Sequence, residues 1–189
     1  VFEKTRGNPF FVEEVMQSLL EEGIIYPYGV EYRFKEVSEI EFPETVRSVL
    51  QARLGRLDDE SQKVLTMASF IGNEFTLEAL RSVTGMEEDR LLKIAERMMA
   101  KRLLKCRVVR GEDTCSFSDV LIRDVLYESV GPLRRKKLHG VVGCALEKTY
   151  AKDIDEHLGE LAAHFLESGD KDKALDYFLK AGEKAAQVY

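Results

Sequence analysis

The stretch TRGNPFFVEE, residues 5–14, decides how the chain begins to fold. Asn8 precedes a proline, which disfavours helical backbone at Asn8 and makes it suitable as a helix N-cap. Pro9 suits the first helical position, because the amide hydrogen that it lacks would have no partner there. Apolar residues follow at the spacing of one buried helix face, and Gly23 provides a C-terminal stop. We therefore predict a helix that starts at Pro9 and leaves the preceding turn free to contact a ligand.

The same stretch resembles the Gly-x-Pro segment of the signal-transduction ATPases with numerous domains (STAND ATPases), an AAA-related family. The resemblance is to the branch fused to nucleotide cyclases, protein kinases and bacterial transcription activators. In that family a helical lid begins here, and the proline packs against the adenine of bound ATP or ADP. The resemblance implies that Gly7, Asn8 and Pro9 contact adenine in an intact protein. An ordinary helix that starts with proline has the same local pattern.

Composition limits the possible classes of protein. The chain has 189 residues, of which 44% are hydrophobic and 33% charged, as in a globular protein. It has no signal-peptide pattern and no apolar run approaching the ~18 residues of a membrane span, and its three cysteines cannot all pair with one another. We therefore expect a cytoplasmic protein without membrane contact. The net charge of −6 argues against a main role in neutralising phosphates.

The pattern along the chain predicts a mainly α-helical protein in three parts. Residues 1–57 form a helical lid segment with a short hairpin, and a second helix starts at Pro43. Residues 58–131 contain three helices, at about 61–70, 76–84 and 87–103, followed by a strand pair. That order is typical of a winged helix-turn-helix with a small β-hairpin wing. Residues 132–189 form linker helices and a repeat-like helix pair.

The two strands of the predicted wing each carry a cysteine. Alternation places Leu104, Cys106 and Val108 on one face, and Cys115 and Phe117 on the matching face of the partner strand. A metal site would need further Cys or His residues at short spacing, and the sequence offers none. We therefore expect Cys106 and Cys115 to be small core residues, and we expect no metal ligands.

A second match to the STAND ATPases is the stretch FSDVLIRDVLY, residues 117–127. In the family, a histidine and an acidic residue usually follow this phenylalanine and its neighbour, and the histidine reaches a phosphate of the nucleotide. Asp119 and Val120 occupy the matching positions here. A carboxylate at this point would repel phosphate unless a cation intervened. Asp119 therefore either replaces the phosphate-sensing histidine or caps the following helix.

The end of the chain resembles one tetratricopeptide unit, with Gly169-Asp170 as the turn between its two helices. Such units bury their outer face by stacking on neighbours, so we expect further helical repeats downstream and a possible protein partner. Tyr177, Ala181 and Val188 are expected to line the uncovered face and to cause weak self-association. His157 and His164 lie seven residues apart, and we interpret them as polar surface. The basic run at residues 134–137 spreads around its helix and is interpreted as a solvated face.

Taken in order, these parts resemble the lid, winged helix, linker helices and first repeat of a STAND ATPase. The catalytic half is absent, because the sequence has no Gly-x-x-x-x-Gly-Lys-Ser/Thr phosphate loop and no apolar strand ending in an acidic pair. We therefore expect a non-catalytic regulatory fragment with no catalytic residue, whose main partner is a missing N-terminal nucleotide-binding domain. ATP or ADP would bind the intact protein, and none is expected on this fragment.

Two other functions remain open from the sequence. A DNA-binding transcriptional regulator would use the third helix of the winged helix, but that helix begins Glu87-Glu88-Asp89, which is the wrong charge for DNA. Basic residues later in the helix and in the wing could still form a DNA-binding flank, namely Arg90, Lys93, Arg97, Lys101, Arg102, Arg107 and Arg110. The second alternative is a protein-interaction scaffold with the terminal repeat as its binding arm.

Overall fold

The computed structural model describes residues 8–29, 31–34 and 45–186. Within them the chain is mainly helical, with a two-stranded and a three-stranded antiparallel sheet. It divides into two compact units, residues 1–58 and 59–189.

The first unit contains helices α1 (Pro9–Glu21) and α2 (Val46–Gly55) and the hairpin of β1 (Ile25–Tyr28) and β2 (Glu31–Phe34). Its small core consists of Phe11, Val15 and Leu19 on α1 and Val49 on α2. The predicted helix start at Pro9 and the predicted hairpin are confirmed. In the described chain α2 begins at Val46 with Thr45 as its N-cap, and the predicted start at Pro43 lies outside the described residues.

The second unit begins with α3 (Asp59–Ile71), β3 (Glu74–Thr76), α4 (Leu77–Thr84), α5 (Glu88–Ala100), β4 (Leu104–Val109) and β5 (Glu112–Phe117). The predicted three helices and strand pair are present. The short strand β3, which the sequence did not predict, adds to the free edge of β5, so the strand order is β3-β5-β4. Helix α5 ends three residues before the predicted Leu103, because Arg102 adopts a left-handed backbone with φ 55°.

Helices then complete the second unit: α6 (Val120–Ser129), α7 (Pro132–Thr149), α8 (Leu158–Ser168) and α9 (Lys171–Ala186), with a 3-10 turn at Ile154–Glu156. Helix α7 packs on α3, α4 and α8, and α8 packs on α9. The predicted turn at Gly169-Asp170 is confirmed: Gly169 ends α8 with φ 82°. At Gly143 the helices α7 and α8 approach closely, since an added Cβ would lie 3.1 Å from the His164 Cβ.

Cys106 and Cys115 form a disulfide between β4 and β5. They are directly opposite each other in the strand register, with Cα atoms 4.0 Å apart. Cys115 is buried as predicted, but the expectation of two separate small core residues was wrong. Only the beginning of this face of β4 lies in the core. Leu104 is buried, whereas Val108, further along the same face, is 69% exposed.

Candidate functional site

The N-terminus of α1 carries the predicted ligand-contacting turn. The Asn8 side-chain oxygen accepts a hydrogen bond of 3.2 Å from the Phe11 amide, so Asn8 caps the helix as predicted. Pro9 occupies the first helical position, and both Asn8 and Pro9 are exposed. Gly7, the third predicted residue of this turn, lies outside the described part of the chain. The exposed proline ring is free to pack against a planar ligand.

Ion pairs fix α1 against α2 beneath this turn. The Arg53 guanidinium of α2 is only 2% exposed, and it donates to the carboxylates of Glu14 and, at 3.2 Å, Glu21 of α1. Arg56, one helical turn further along, pairs with Glu22 and donates to the Ser18 hydroxyl at 3.2 Å. The two arginines therefore hold the helix that presents Asn8 and Pro9 in one orientation.

Asp119, the second predicted site residue, lies in the other unit at the start of α6. Its carboxylate accepts a hydrogen bond of 2.8 Å from the Leu121 amide, so the side chain caps the helix. An acidic N-cap is also favoured by the helix dipole. The carboxylate thus has a structural role whether or not it meets a ligand in a longer protein.

The face formed by α5 and the wing has a mixed charge. Glu88 and Asp89 lie in the first turn of α5. Two of the basic residues that could contact DNA are engaged: Arg90 pairs with Glu60 at 2.5 Å and Arg107 pairs with Glu74 at 3.0 Å. A cleft of about 360 Å³ between α4, α5 and the β4–β5 turn is lined by four carboxylates and one arginine, from Glu78, Glu88, Glu112, Asp113 and Arg81. The acidic lining of this cleft would repel phosphate.

Two histidines and a tyrosine form a buried hydrogen-bonded chain that the sequence did not predict. The Tyr127 hydroxyl on α6 lies 3.0 Å from His139 Nε2 on α7, and His139 Nδ1 lies 3.1 Å from His164 Nδ1 on α8. Both histidines are buried. The interpretation of His164 as polar surface was therefore wrong. Its neighbours Leu161 and Phe165 belong to the buried face of α8, and that position was the missed signal.

A second polar contact attaches α9 to α7. Tyr177 donates to Glu147 Oε1 at 2.6 Å, Lys173 donates to Glu147 Oε2 at 2.7 Å, and the Tyr177 ring stacks on Phe165. Burial alone would raise the pKa of Glu147, but the hydrogen bonds from Lys173 and Tyr177 lower it. Tyr177 is only 6% exposed, so its expected place on an uncovered face was wrong. Ala181 is half-buried, and Val188 lies outside the described residues.

Other side chains of α9 are uncovered. Leu175, Phe178 and Leu179 are exposed on a face of the helix next to the one that buries Ala174 and Tyr177. We call this set the α9 patch. Their spacing of three and four residues places them on one side of the helix.

Within the described residues, no group of three or more His, Cys, Asp or Glu side chains could hold a metal ion. No helix in that part of the chain is both long and apolar enough to cross a bilayer.

Comparison with known proteins gives one partial similarity. Over 108 residues, which are 55% of its length, the chain is 31% identical to the hybrid signal transduction histidine kinase G of Dictyostelium discoideum. The chain spans about 3% of the length of that protein. No protein-family model matches the chain.

Proposed function

We propose that this chain is a non-catalytic regulatory part of a multidomain signalling ATPase of the STAND type. In the proposal, residues 1–57 belong to a helical lid whose turn at Gly7, Asn8 and Pro9 contacts the adenine of ATP or ADP. The observation that carries it is the exposed, capped turn at the start of α1, on a helix that buried ion pairs hold in place. The proposal assigns no catalytic or metal-binding residue to the chain.

We propose further that α3 to β5 form a winged helix-turn-helix. The order of three helices followed by a hairpin supports this assignment, as does the addition of β3 to the hairpin edge. Helices α8 and α9 would then be the first tetratricopeptide-like unit of a longer arm. Nucleotide exchange in the missing N-terminal domain would rotate the lid and the winged helix and thereby move that arm and any protein partner bound to it.

The partial similarity to a hybrid signal transduction histidine kinase supports a role in signalling. It is compatible with a segment that recurs inside large signalling proteins, since the matched part is a small share of that protein. We also propose a cytoplasmic location, because the sequence contains no apolar run that approaches the ~18 residues of a membrane span. The Cys106–Cys115 disulfide is unusual for that compartment, where thiols are kept reduced.

The adenine contact can be tested in the full-length protein that contains this chain. Replacing Pro9 by alanine should weaken binding of ATP and ADP, because the apolar ring contact is lost. Pro132→Ala is the matched control, since Pro132 is likewise an exposed first residue of a helix, α7. Isothermal titration calorimetry with ATP and with ADP measures the affinity of each variant. Equal affinities for Pro9→Ala, Pro132→Ala and the unchanged protein would refute the adenine contact.

The chain alone should bind adenine nucleotides weakly or not at all, because it supplies one apolar contact and no phosphate-binding elements. Calorimetry with ATP and with ADP tests this. A micromolar or tighter dissociation constant for the isolated chain would reveal a nucleotide site that the proposal lacks.

Direct DNA binding is the less favoured function. The acidic first turn of α5 and the pairing of Arg90 and Arg107 with carboxylates both reduce the positive potential of this face. We expect no sequence-specific binding in a fluorescence anisotropy titration at physiological salt. Submicromolar binding that is abolished by Arg97→Glu would favour the transcriptional regulator instead. A scaffold function would require a partner that binds α8 and α9 irrespective of nucleotide.

A further inference from the structure

The chain of Tyr127, His139 and His164 connects three helices of the second unit. Tyr127 belongs to α6, His139 to α7 and His164 to α8, and the two contacts measure 3.0 and 3.1 Å. The Phe70 ring of α3 closes the cluster, 5.0 Å from the His139 ring. Helix α8 is therefore joined to the preceding helices through the Nδ1 atoms of two imidazoles.

The short Nδ1 to Nδ1 contact requires that one ring donates its hydrogen and the other accepts it. When both rings are neutral, one Nδ1 can carry the hydrogen and the other can accept it. The Tyr127 hydroxyl then bonds to the other nitrogen of His139, Nε2. One added proton can reside on His139, which would then donate from both nitrogens. A second proton would place two N–H groups against each other at His139 and His164, so the contact would break.

Burial opposes protonation of both histidines, and the charges around His139 act in both directions. Burial lowers the pKa of His139; Glu167 of α8 opposes this effect, while Arg123 of α6 and Arg135 of α7 add to it. Burial, with a contribution from His139, lowers the pKa of His164 to about 4. Arg123 and Arg135 also lie against the Tyr127 ring, at 5.7 and 4.9 Å from its centre. Among the described residues, no group of three or more potential metal ligands includes the pair.

We propose that Tyr127, His139 and His164 form an acid-sensitive latch, which holds α8 on α6 and α7 while at least one of the two imidazoles is neutral and releases α8 when both are protonated. Helix α9 moves with α8, because the two helices share the Phe165–Tyr177 stack. The latch would thus weaken the attachment of the terminal helix pair at acidic pH, and the bonds from Lys173 and Tyr177 of α9 to Glu147 would remain as a polar tie to α7. This inference does not depend on the proposed nucleotide function.

The sign and size of the response follow from linkage. A histidine whose folded pKa is lowered destabilises the closed state as the pH falls below the unfolded value of 6.5, and the loss levels off near the folded value. For His164 alone, shifting from 6.5 to about 4, the opening equilibrium of α8 should rise about thirtyfold between pH 7.5 and pH 5. His139 should increase the response further in the same direction.

Hydrogen exchange at pH 7.5 and pH 5, corrected for intrinsic exchange rates, tests the latch. We expect the protection of amides in α8 and α9 to fall at least thirtyfold, while amides in α4 and α5 keep theirs. His164→Asn retains a polar atom near the Nδ1 position and should abolish most of this response. His157→Asn removes an imidazole that lies outside the cluster and should leave the response intact.

Tyr127→Phe is the second matched variant, because it removes the hydroxyl while keeping both imidazoles. It should weaken α8 at every pH yet retain the acid response. Parallel loss of protection in α4, α5, α8 and α9 would overturn the latch, as would an unchanged response in His164→Asn.

The unchanged protein also provides a test if His164→Asn does not fold. Long-range ¹H–¹⁵N NMR spectra report the protonation of each imidazole nitrogen. We expect His139 and His164 to stay neutral at pH 6.5, with a hydrogen on the Nδ1 of one ring only. A protonated His164 at that pH, in a chain with fully protected α8, would refute the proposal.

Discussion

The interface between α1 and α2 buries charged groups, whereas the interface of α6, α7 and α8 buries neutral ones. In the first, Arg53 meets Glu14 and Glu21; in the second, two imidazoles meet each other. A buried ion pair is costly to desolvate and very costly to break on one side. A buried neutral imidazole is stable until acid supplies a proton. The first arrangement suits a helix pair of fixed orientation, and the second suits a contact that responds to conditions.

All three histidines of the chain, His139, His157 and His164, lie in the second unit. The first unit therefore has no imidazole that could respond between pH 5 and 6.5. The comparison predicts that mild acid affects the second unit selectively. Five sets of substitutions and conditions test this contrast between the two units.

Arg53→Met should have the largest effect. It leaves the carboxylate of Glu14 buried without this partner, and we expect the first unit to lose about 3–5 kcal/mol of stability. Urea titration monitored by hydrogen exchange of α1 and α2 measures the loss. Arg56→Met is the matched control and should cost about 0–1 kcal/mol, because the Arg56 side chain is 41% exposed.

The double change Arg53→Met with Glu14→Leu separates charge from packing. If the buried charge is the cause, the second substitution should recover most of the lost stability. An equally unstable double variant would show instead that α1 depends on the shape of the arginine, and the contrast between the two interfaces would fail.

Reduction of the Cys106–Cys115 disulfide should destabilise the second unit by about 2–3 kcal/mol, as expected for a short closed loop. The first unit contains no cysteine and should be unaffected. Urea unfolding with and without reductant tests this. The Cys144→Ser variant is the control: it should lose the same amount of stability on reduction, because Cys144 is the exposed free thiol. Three titratable thiols in denatured, never-reduced protein would contradict the disulfide.

The two helix caps should have smaller effects. Asn8→Ala and Asp119→Ala each remove one side-chain hydrogen bond to a helix amide, and each should cost about 1 kcal/mol in its own unit. Asn8→Asp and Asp119→Asn retain the cap and are the controls. If Asn8→Ala leaves the melting temperature of the first unit unchanged, the hydrogen bond from the Phe11 amide to Asn8 does not stabilise α1.

Self-association should be the weakest effect. The α9 patch of Leu175, Phe178 and Leu179 could bury a few hundred Å², worth several kcal/mol at about 25 cal/mol per Å² before the cost of association. We expect weak dimers at high concentration in sedimentation velocity. Leu179→Lys should abolish them, whereas Leu133→Lys, at an exposed position on α7, should not. Equal sedimentation of both variants would exclude the α9 patch as the contact.

Local signals in the sequence predicted much of the backbone. The Asn8-Pro9 pair predicted the start of α1, and alternation predicted both strands of the β4–β5 hairpin. These features depend on residues within a few positions of one another. The sequence is informative about them because caps and turns are satisfied locally.

Side-chain contacts between distant segments were not predictable in the same way. The contact of His139 with His164 spans 25 positions and that of Tyr177 with Glu147 spans 30. Each contact depends on which faces of two helices meet. The periodicity of apolar residues identifies the buried face of one helix, but it does not identify the helix that packs against that face. The three-residue strand β3 was missed because it is too short to show alternation.

Helix α7 connects two polar contacts of the second unit. Its 18 residues make a rod about 27 Å long, with His139 near the middle and Glu147 near the end. The rise from His139 to Glu147 is about 12 Å, so a tilt of about 10° about His139 would move Glu147 by about 2 Å. That displacement is comparable to the 2.6 Å between Glu147 and the Tyr177 hydroxyl. A small tilt of α7 at its contact with Tyr127 of α6 would therefore be enough to break its bond to α9.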